Sequence, residues 1–262
     1  MIYTLSMLSF TIFKATTPQD RPPLLIAHGL FGSGRNWGVI ARKLADSRDV
    51  ITVDMRNHGD SPRTATQSYP EMAEDLAQVI MAQGGTADVL GHSMGGKAAM
   101  VLALTHGALV RRLVVADIAP VAYAHDQSQN IAAMVGLDLT DLANRADADQ
   151  RLSKTIEDPA LRAFFLQSLD LRTTPPRWRL NLPVLRDFAM NIVGWPGTQG
   201  QFTGRALFLS GAQSSYVLPE HRSLILAQFP TAYFARIPGA GHWLHAEKPR
   251  EFEETVRIFL NA

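Results

Sequence analysis

Val89-Leu90-Gly91-His92-Ser93-Met94-Gly95-Gly96 lies between a short apolar run, Ala87 to Leu90, and an alanine-rich stretch that reaches about Thr105. The run reads as a strand and the stretch as a helix, with the glycines marking a sharp turn that carries a serine at its apex. Gly-x-Ser-x-Gly in that setting is the pattern of a nucleophile elbow. The serine is held in a strained backbone conformation, and side chains two positions away on either side would clash. The helix that follows directs backbone N–H groups and the positive end of its dipole at the serine. The competing reading is a tight turn without chemistry.

Outward from this turn, strands and helices alternate. Leu24 to Ala27 is apolar and ends in His28-Gly29, and Asn36 to Ala45 has helical spacing. Val50 to Val53 closes with Asp54, and a helix runs from about Met72 to Gln83. Leu113 to Ala116 closes with Asp117. Ala206 to Leu209, a helix from about Glu220 to Gln228, Ala232 to Ile237 and a helix from Pro249 to about Leu260 complete the series. Short apolar strands separated by amphipathic helices predict an α/β fold, a mostly parallel central sheet covered by helices on both faces. Such sheets build their sites at the C-terminal ends of the strands. His28, Asp54, Ser93 and Asp117 all fall there.

Residues 121 to 200 break the rhythm, with several helical patterns, Pro159, Pro175, Pro176 and Pro183, and no clear strand. They are expected to form a helical cap inserted before the penultimate strands of a core domain made of residues 1–120 and 201–262. The alternative is an extension of the core remote from the site. Met1 to Phe13 reads as a first strand or strand pair, since it lacks the basic start and small-residue cleavage site of a targeting segment. No run approaches the ~18 apolar residues that span a bilayer.

A hydrophobic fraction of 46% with 19% charged residues excludes a disordered chain. The 25 basic and 24 acidic residues leave a net charge of +1 with no block of one sign, which argues against a nucleic-acid or anionic-membrane partner. There is no cysteine, which removes disulfides, cysteine nucleophiles and thiolate metal sites, and suits a reducing cytoplasm. No metal or cofactor is implied: His28 on one strand-end loop and Asp54 and His58 on another suit a hydrolase scaffold better than a ligand set.

A serine hydroxyl needs a general base. His242 lies in Gly239-Ala240-Gly241-His242-Trp243, a flexible turn after a strand and before the last helix. His245 is a nearby alternative, whereas His106, His125 and His221 read as surface-loop histidines. An oxyanion hole needs two preorganised donors. One is expected from the N–H of Met94, directly after the nucleophile. The other is expected from His28-Gly29-Leu30-Phe31-Gly32, with Leu30 as donor and Phe31 in reserve.

These stretches, together with Asp54-Met55-Arg56-Asn57-His58-Gly59-Asp60-Ser61, resemble the α/β-hydrolase fold across nearly the whole chain. More narrowly, Val115-Ala116-Asp117-Ile118-Ala119-Pro120 and Gly241-His242-Trp243-Leu244-His245-Ala246-Glu247-Lys248-Pro249 are similar to the YbfF esterases and their ABHD11-like relatives. The resemblance implies esterase activity, with acyl thioesters such as acyl-CoA also considered, and no cofactor. Most of the fold carries the triad's acid in a Gly-x-x-Asp-x-x-Val loop. Here the loop reads Gly211-Ala212-Gln213-Ser214-Ser215-Tyr216-Val217, so Ser214 occupies the acid's place. A hydroxyl can orient an imidazole but cannot stabilise its cation as a carboxylate does. Asp117 is the best substitute and keeps the order Ser, Asp, His; the resemblance likewise pairs such an aspartate with a serine matching Ser214. Asp117 could instead cap a turn, Glu220 is better explained as a first-turn helix residue, and Asp54 is expected to organise its own loop.

The implied reaction is acyl transfer through Ser93 and His242 on a small-molecule ester or thioester. Phe31, Phe164, Phe165, Trp178, Trp195 and Trp243 are the candidate pocket residues, and those of the cap are equally well explained as cap core. Carbon–carbon bond hydrolysis, perhydrolysis and a non-catalytic receptor on the same fold remain the alternatives.

Overall fold

The computed structural model describes residues 7–124 and 127–262. In chain order, the first half contains β1 (Phe10–Phe13), β2 (Leu24–Ala27), α1 (Gly38–Leu44), β3 (Val50–Val53) and α2 (Tyr69–Ala82). Next come β4 (Ala87–His92), α3 (Met94–Thr105) and β5 (Val110–Ala116). Between β5 and β8 lie α4 (Ser128–Val135), α5 (Arg145–Leu152), α6 (Pro159–Leu166), β6 (Leu169–Asp170), β7 (Arg177–Trp178), α7 (Leu182–Asp187) and α8 (Ala189–Val193). The chain then closes with β8 (Arg205–Gly211), α9 (His221–Gln228), β9 (Ala232–Ile237), α10 (Leu244–Glu247) and α11 (Pro249–Asn261).

The main sheet runs β1-β3-β2-β4-β5-β8-β9. β1 pairs antiparallel with β3, and the other pairings are parallel. Side chains alternate across a strand, so each strand feeds two cores. Leu25 and Ala27 of β2 join the layer under α2 and α3, while Leu24 and Ile26 join the layer formed with Trp37, Ile40 of α1 and Phe252, Val256 and Phe259 of α11. Complete burial of β2, β3 and β4 on both faces explains why these central strands read as continuous apolar runs rather than alternating ones. Helix α3 is apolar nearly all round because it packs deep in the molecule, with Ala98, Ala99, Met100 and Leu102 fully buried.

Two expectations need correction. The helix expected from Asn36 begins as a 3-10 turn, Gly34–Trp37, and becomes α-helical only at Gly38. The segment after β5 does hold strands: Leu169–Asp170 pairs antiparallel with Arg177–Trp178. Two-residue strands are too short to show period-2 alternation in sequence. Met1 to Ser6 and His125 lie outside the described residues, so the expected first strand is seen only as Phe10–Phe13.

The segment between β5 and β8 is fastened to the sheet's loops by hydrogen bonds. Asn181 donates from its backbone N–H to the Asn57 carbonyl at 2.9 Å and from its side chain to Asn57 Oδ1 at 2.8 Å. The Ser168 hydroxyl donates to the Phe31 carbonyl at 3.0 Å. Among the described residues, no helix is long and apolar enough to cross a membrane.

Candidate active site

Ser93 occupies the turn between β4 and α3 with φ +52°, a left-handed value that costs a non-glycine residue about 1 kcal/mol or more. The turn exists because its neighbours lack side chains. A Cβ on Gly91 would stand 2.2 Å from the Gly95 carbonyl oxygen, and one on Gly95 would stand 2.4 Å from that of Ala27. Both positions therefore admit only glycine.

The Ser93 hydroxyl lies 3.1 Å from Nε2 of His242, and Nδ1 of His242 lies 2.7 Å from Oδ2 of Asp117. A carboxylate only accepts hydrogen bonds. Nδ1 therefore carries the proton, and the Nε2 lone pair faces the serine. That is the arrangement a general base requires.

Asp117 is fully buried at the end of β5, also at a left-handed φ of +53°. Its backbone N–H donates to Leu209 at 2.9 Å. Its Oδ1 accepts the Gly211 N–H at 3.0 Å, and its Oδ2 accepts the Ser214 hydroxyl as well as His242. Ser214 itself accepts the Tyr216 N–H at 3.2 Å. Ser214 thus hydrogen-bonds the aspartate, and among the described residues no hydrogen bond joins it to the histidine. Asp54 accepts the N–H groups of Gly34 and Asp60, at 2.7 and 2.8 Å, and organises its own loop. Glu220 stands exposed at the start of α9.

Besides Asp117, two groups hold His242. Tyr216 stacks on its ring at 3.8 Å, and buried His92 donates from Nε2 to its carbonyl at 2.9 Å. His245, the alternative base, instead stacks on Trp37 at 4.3 Å, and burial pushes its pKa down to about 3. Among the described residues, no hydrogen bond joins it to Ser93.

Leu30 and Met94 both line the cavity at Ser93, and neither amide has a hydrogen-bond acceptor among the described residues. Met94 opens α3, where first-turn N–H groups have no intrahelical partner. Phe31 cannot serve as the reserve donor, because its N–H is committed to Nε2 of His58 at 3.2 Å. That bond anchors Phe31 at φ +65°. His58 donates from Nδ1 to the Arg56 carbonyl at 2.8 Å, and His28 bridges the Gly29 carbonyl and the Met55 N–H at 2.7 and 2.9 Å. Burial lowers His28 to about 4; burial, then the neighbouring His28, lowers His58 to about 3. Both are neutral struts with each ring nitrogen occupied by backbone.

Of the aromatic candidates, Phe31, Phe164, Phe165 and Trp243 line the cavity. Phe165 packs edge-on against Phe31 at 5.1 Å, and Phe164 lies 5.6 Å from Trp243. Trp178 and Trp195 do not line it. Trp178 is 8% exposed, and its indole N–H donates to the Met134 carbonyl at 2.9 Å, so it serves the interior of the segment between β5 and β8. Trp195 packs half-buried against the main core. Sequence reasoning passed over Lys97, Tyr69 and Tyr123, which also line the cavity. The available signal for Lys97 was its place one helical turn beyond Ser93.

A family model described as the alpha/beta hydrolase fold matches residues 22–249. The chain is 40% identical over 255 residues to the esterase YbfF of Escherichia coli (strain K12), covering 95% of this chain and 98% of that one. It is 39% identical over 248 residues to the sn-1-specific diacylglycerol lipase ABHD11 of Mus musculus, covering 91% and 81% respectively. A solved structure described as a marine microorganism esterase superposes with a TM-score of 0.91 at 36% identity, covering 97% of this chain and 99% of that chain.

Proposed function

This chain belongs to the α/β-hydrolase family, in the group that includes YbfF and ABHD11, and from that premise we propose that it is a serine esterase working through an acyl-enzyme. The observation that carries the proposal is the continuous chain from Ser93 through His242 to Asp117, at 3.1 and 2.7 Å. The names of the relatives support ester hydrolysis as the reaction class.

Ser93 attacks the ester carbonyl carbon while His242 takes the hydroxyl proton at Nε2. The charge that develops on the carbonyl oxygen is met by the Leu30 and Met94 amides, a contribution worth about 3 kcal/mol per donor in such sites. The buried Asp117 carboxylate stabilises the imidazolium, and Ser214 holds that carboxylate in place. His242 then gives its proton to the leaving alcohol oxygen. Water repeats the cycle and releases the acid. A thioester, including an acyl-CoA, passes through the same steps with a thiol leaving group. Residues 121–200 act as the cap, contributing Phe164 and Phe165 to the cavity wall. The cysteine-free chain suits work in the cytoplasm.

The test is steady-state hydrolysis of p-nitrophenyl esters from acetate to palmitate, with Ser93→Ala as the matched blank. Turnover that disappears in the variant supports the proposal. Turnover that survives in Ser93→Ala, or none on any ester from folded wild-type protein, overturns it.

A further inference from the structure

Lys97 sits in α3 four residues beyond Ser93, with its N–H bonded to the Ser93 carbonyl at 3.0 Å. Helical side chains lean toward the helix N-terminus, so its stem runs back toward the nucleophile, and it lines the same cavity as Ser93 and His242. It is only 1% exposed. Its ammonium donates to the Val193 carbonyl at 2.8 Å and to that of Gly194, at the end of α8. It also lies over the Tyr123 ring at 4.7 Å and the Tyr69 ring at 5.7 Å. Both phenol hydroxyls are engaged elsewhere: Tyr69 donates to the Ile192 carbonyl and Tyr123 to that of Tyr216.

Carbonyls and ring faces solvate a cation without neutralising it. The other buried cations of this protein are treated differently: Arg48 is paired with Asp88, and Arg56 with Asp75. No carboxylate among the described residues pairs with Lys97, and burial alone brings its pKa down to about 7. A buried charge without a counter-charge is costly. An ammonium has three N–H donors, and two are spent on carbonyls.

We propose that Lys97 is the counter-charge for a carboxylate at the far end of the substrate's acyl group, so that the enzyme selects half-esters of short dicarboxylic acids. The acyl group is the part concerned because the leaving group must depart past His242, whose side chain is 24% exposed, whereas Lys97 closes a buried end. Lys97 stands one helical turn from Ser93 in the same cavity, so short diacids, succinate to adipate, are the ones to compare. Selection rests on the cavity side chains of the esterase reading above, and goes beyond it in naming the acyl class.

The experiment compares monomethyl succinate, glutarate and adipate with methyl esters of the matching neutral acids, by pH-stat, in wild type and Lys97→Met. Expected is a wild-type preference for at least one anionic ester, and an anionic-to-neutral kcat/KM ratio that falls tenfold or more in Lys97→Met. Lys97→Arg retains part of the preference. A ratio that moves less than twofold in folded Lys97→Met overturns the inference. A second measurement needs neither turnover nor a variant: binding of glutaramate against pentanamide to wild-type protein by calorimetry. Glutaramate binding at least tenfold more tightly supports the role of Lys97, and equal affinities overturn it. Ester turnover surviving in Ser93→Ala would instead sink the esterase mechanism and leave the binding result standing.

Discussion

Asp117→Asn separates charge and tautomer from shape. Asparagine tolerates the left-handed φ of +53° found here better than other uncharged residues do, so the backbone is preserved. The amide has one acceptor and one donor where the carboxylate had two acceptors. Oδ1 receives a backbone N–H from Gly211, a donor that cannot rotate away, so the asparagine oxygen must stay there. The NH2 group then takes the place of Oδ2, facing Nδ1 of His242 and the Ser214 hydroxyl. Ser214 can turn to accept. His242 must accept too, which moves its own proton to Nε2 and points it at Ser93. A base with its lone pair on the wrong nitrogen cannot take the serine proton. The expected loss in kcat is about 10⁴-fold, or about 5 kcal/mol of barrier, with KM within threefold of wild type. Steady-state hydrolysis of p-nitrophenyl butyrate at pH 8, with circular dichroism to verify folding, measures it. A loss of less than tenfold would refute the assignment, because some other group would then be setting the tautomer.

Ser214→Ala removes one of three donors to Asp117 and leaves its contact with His242 intact, so kcat should fall only about three- to tenfold on the same substrate. A loss as large as that of Asp117→Asn would mean that Ser214 acts directly on His242. His28 and His58 predict acid lability. Unfolded histidine protonates near 6.5, whereas the folded protein holds these two neutral down to about 4 and 3, so the unfolded state binds more protons over that interval. The stability they contribute is complete above pH 6.5 and falls as the pH drops, by about 2 kcal/mol each at pH 5. The urea midpoint should therefore decrease by about 1 M between pH 7 and 5, and a constant midpoint would contradict the neutral-strut reading.

The sheet and the proposed reacting groups are legible in sequence for the same reason. Fully buried parallel strands are short and apolar, and their C-terminal ends are where polar residues interrupt them, as at Asp54, Ser93 and Asp117. The departure at Ser214 is visible because the loop around it keeps its glycine and valine. The rest depends on tertiary placement. Trp178 and Trp195 resemble pocket residues in composition, but a large aromatic serves a segment's own interior as readily as a cavity wall. Lys97 is hidden by the opposite prejudice, since a lysine on a helix is ordinarily solvated. The role of His58 on the Phe31 N–H joins loops 27 residues apart, which local pattern cannot display.

The order of the proposed catalytic groups along the chain has a consequence in time. Ser93 precedes His242 by 149 residues, and the two meet only through the side-by-side placement of β4, β5, β8 and β9. At ribosomal rates of about 5–20 residues per second, Ser93 is made about 7–30 s before His242 exists. The first half of the sheet can begin to form around a serine with no means of activation. On the proposed mechanism, hydrolysis starts only when the last parallel strand docks, so recovery of activity on refolding would report completion of the sheet rather than formation of the turn at Ser93.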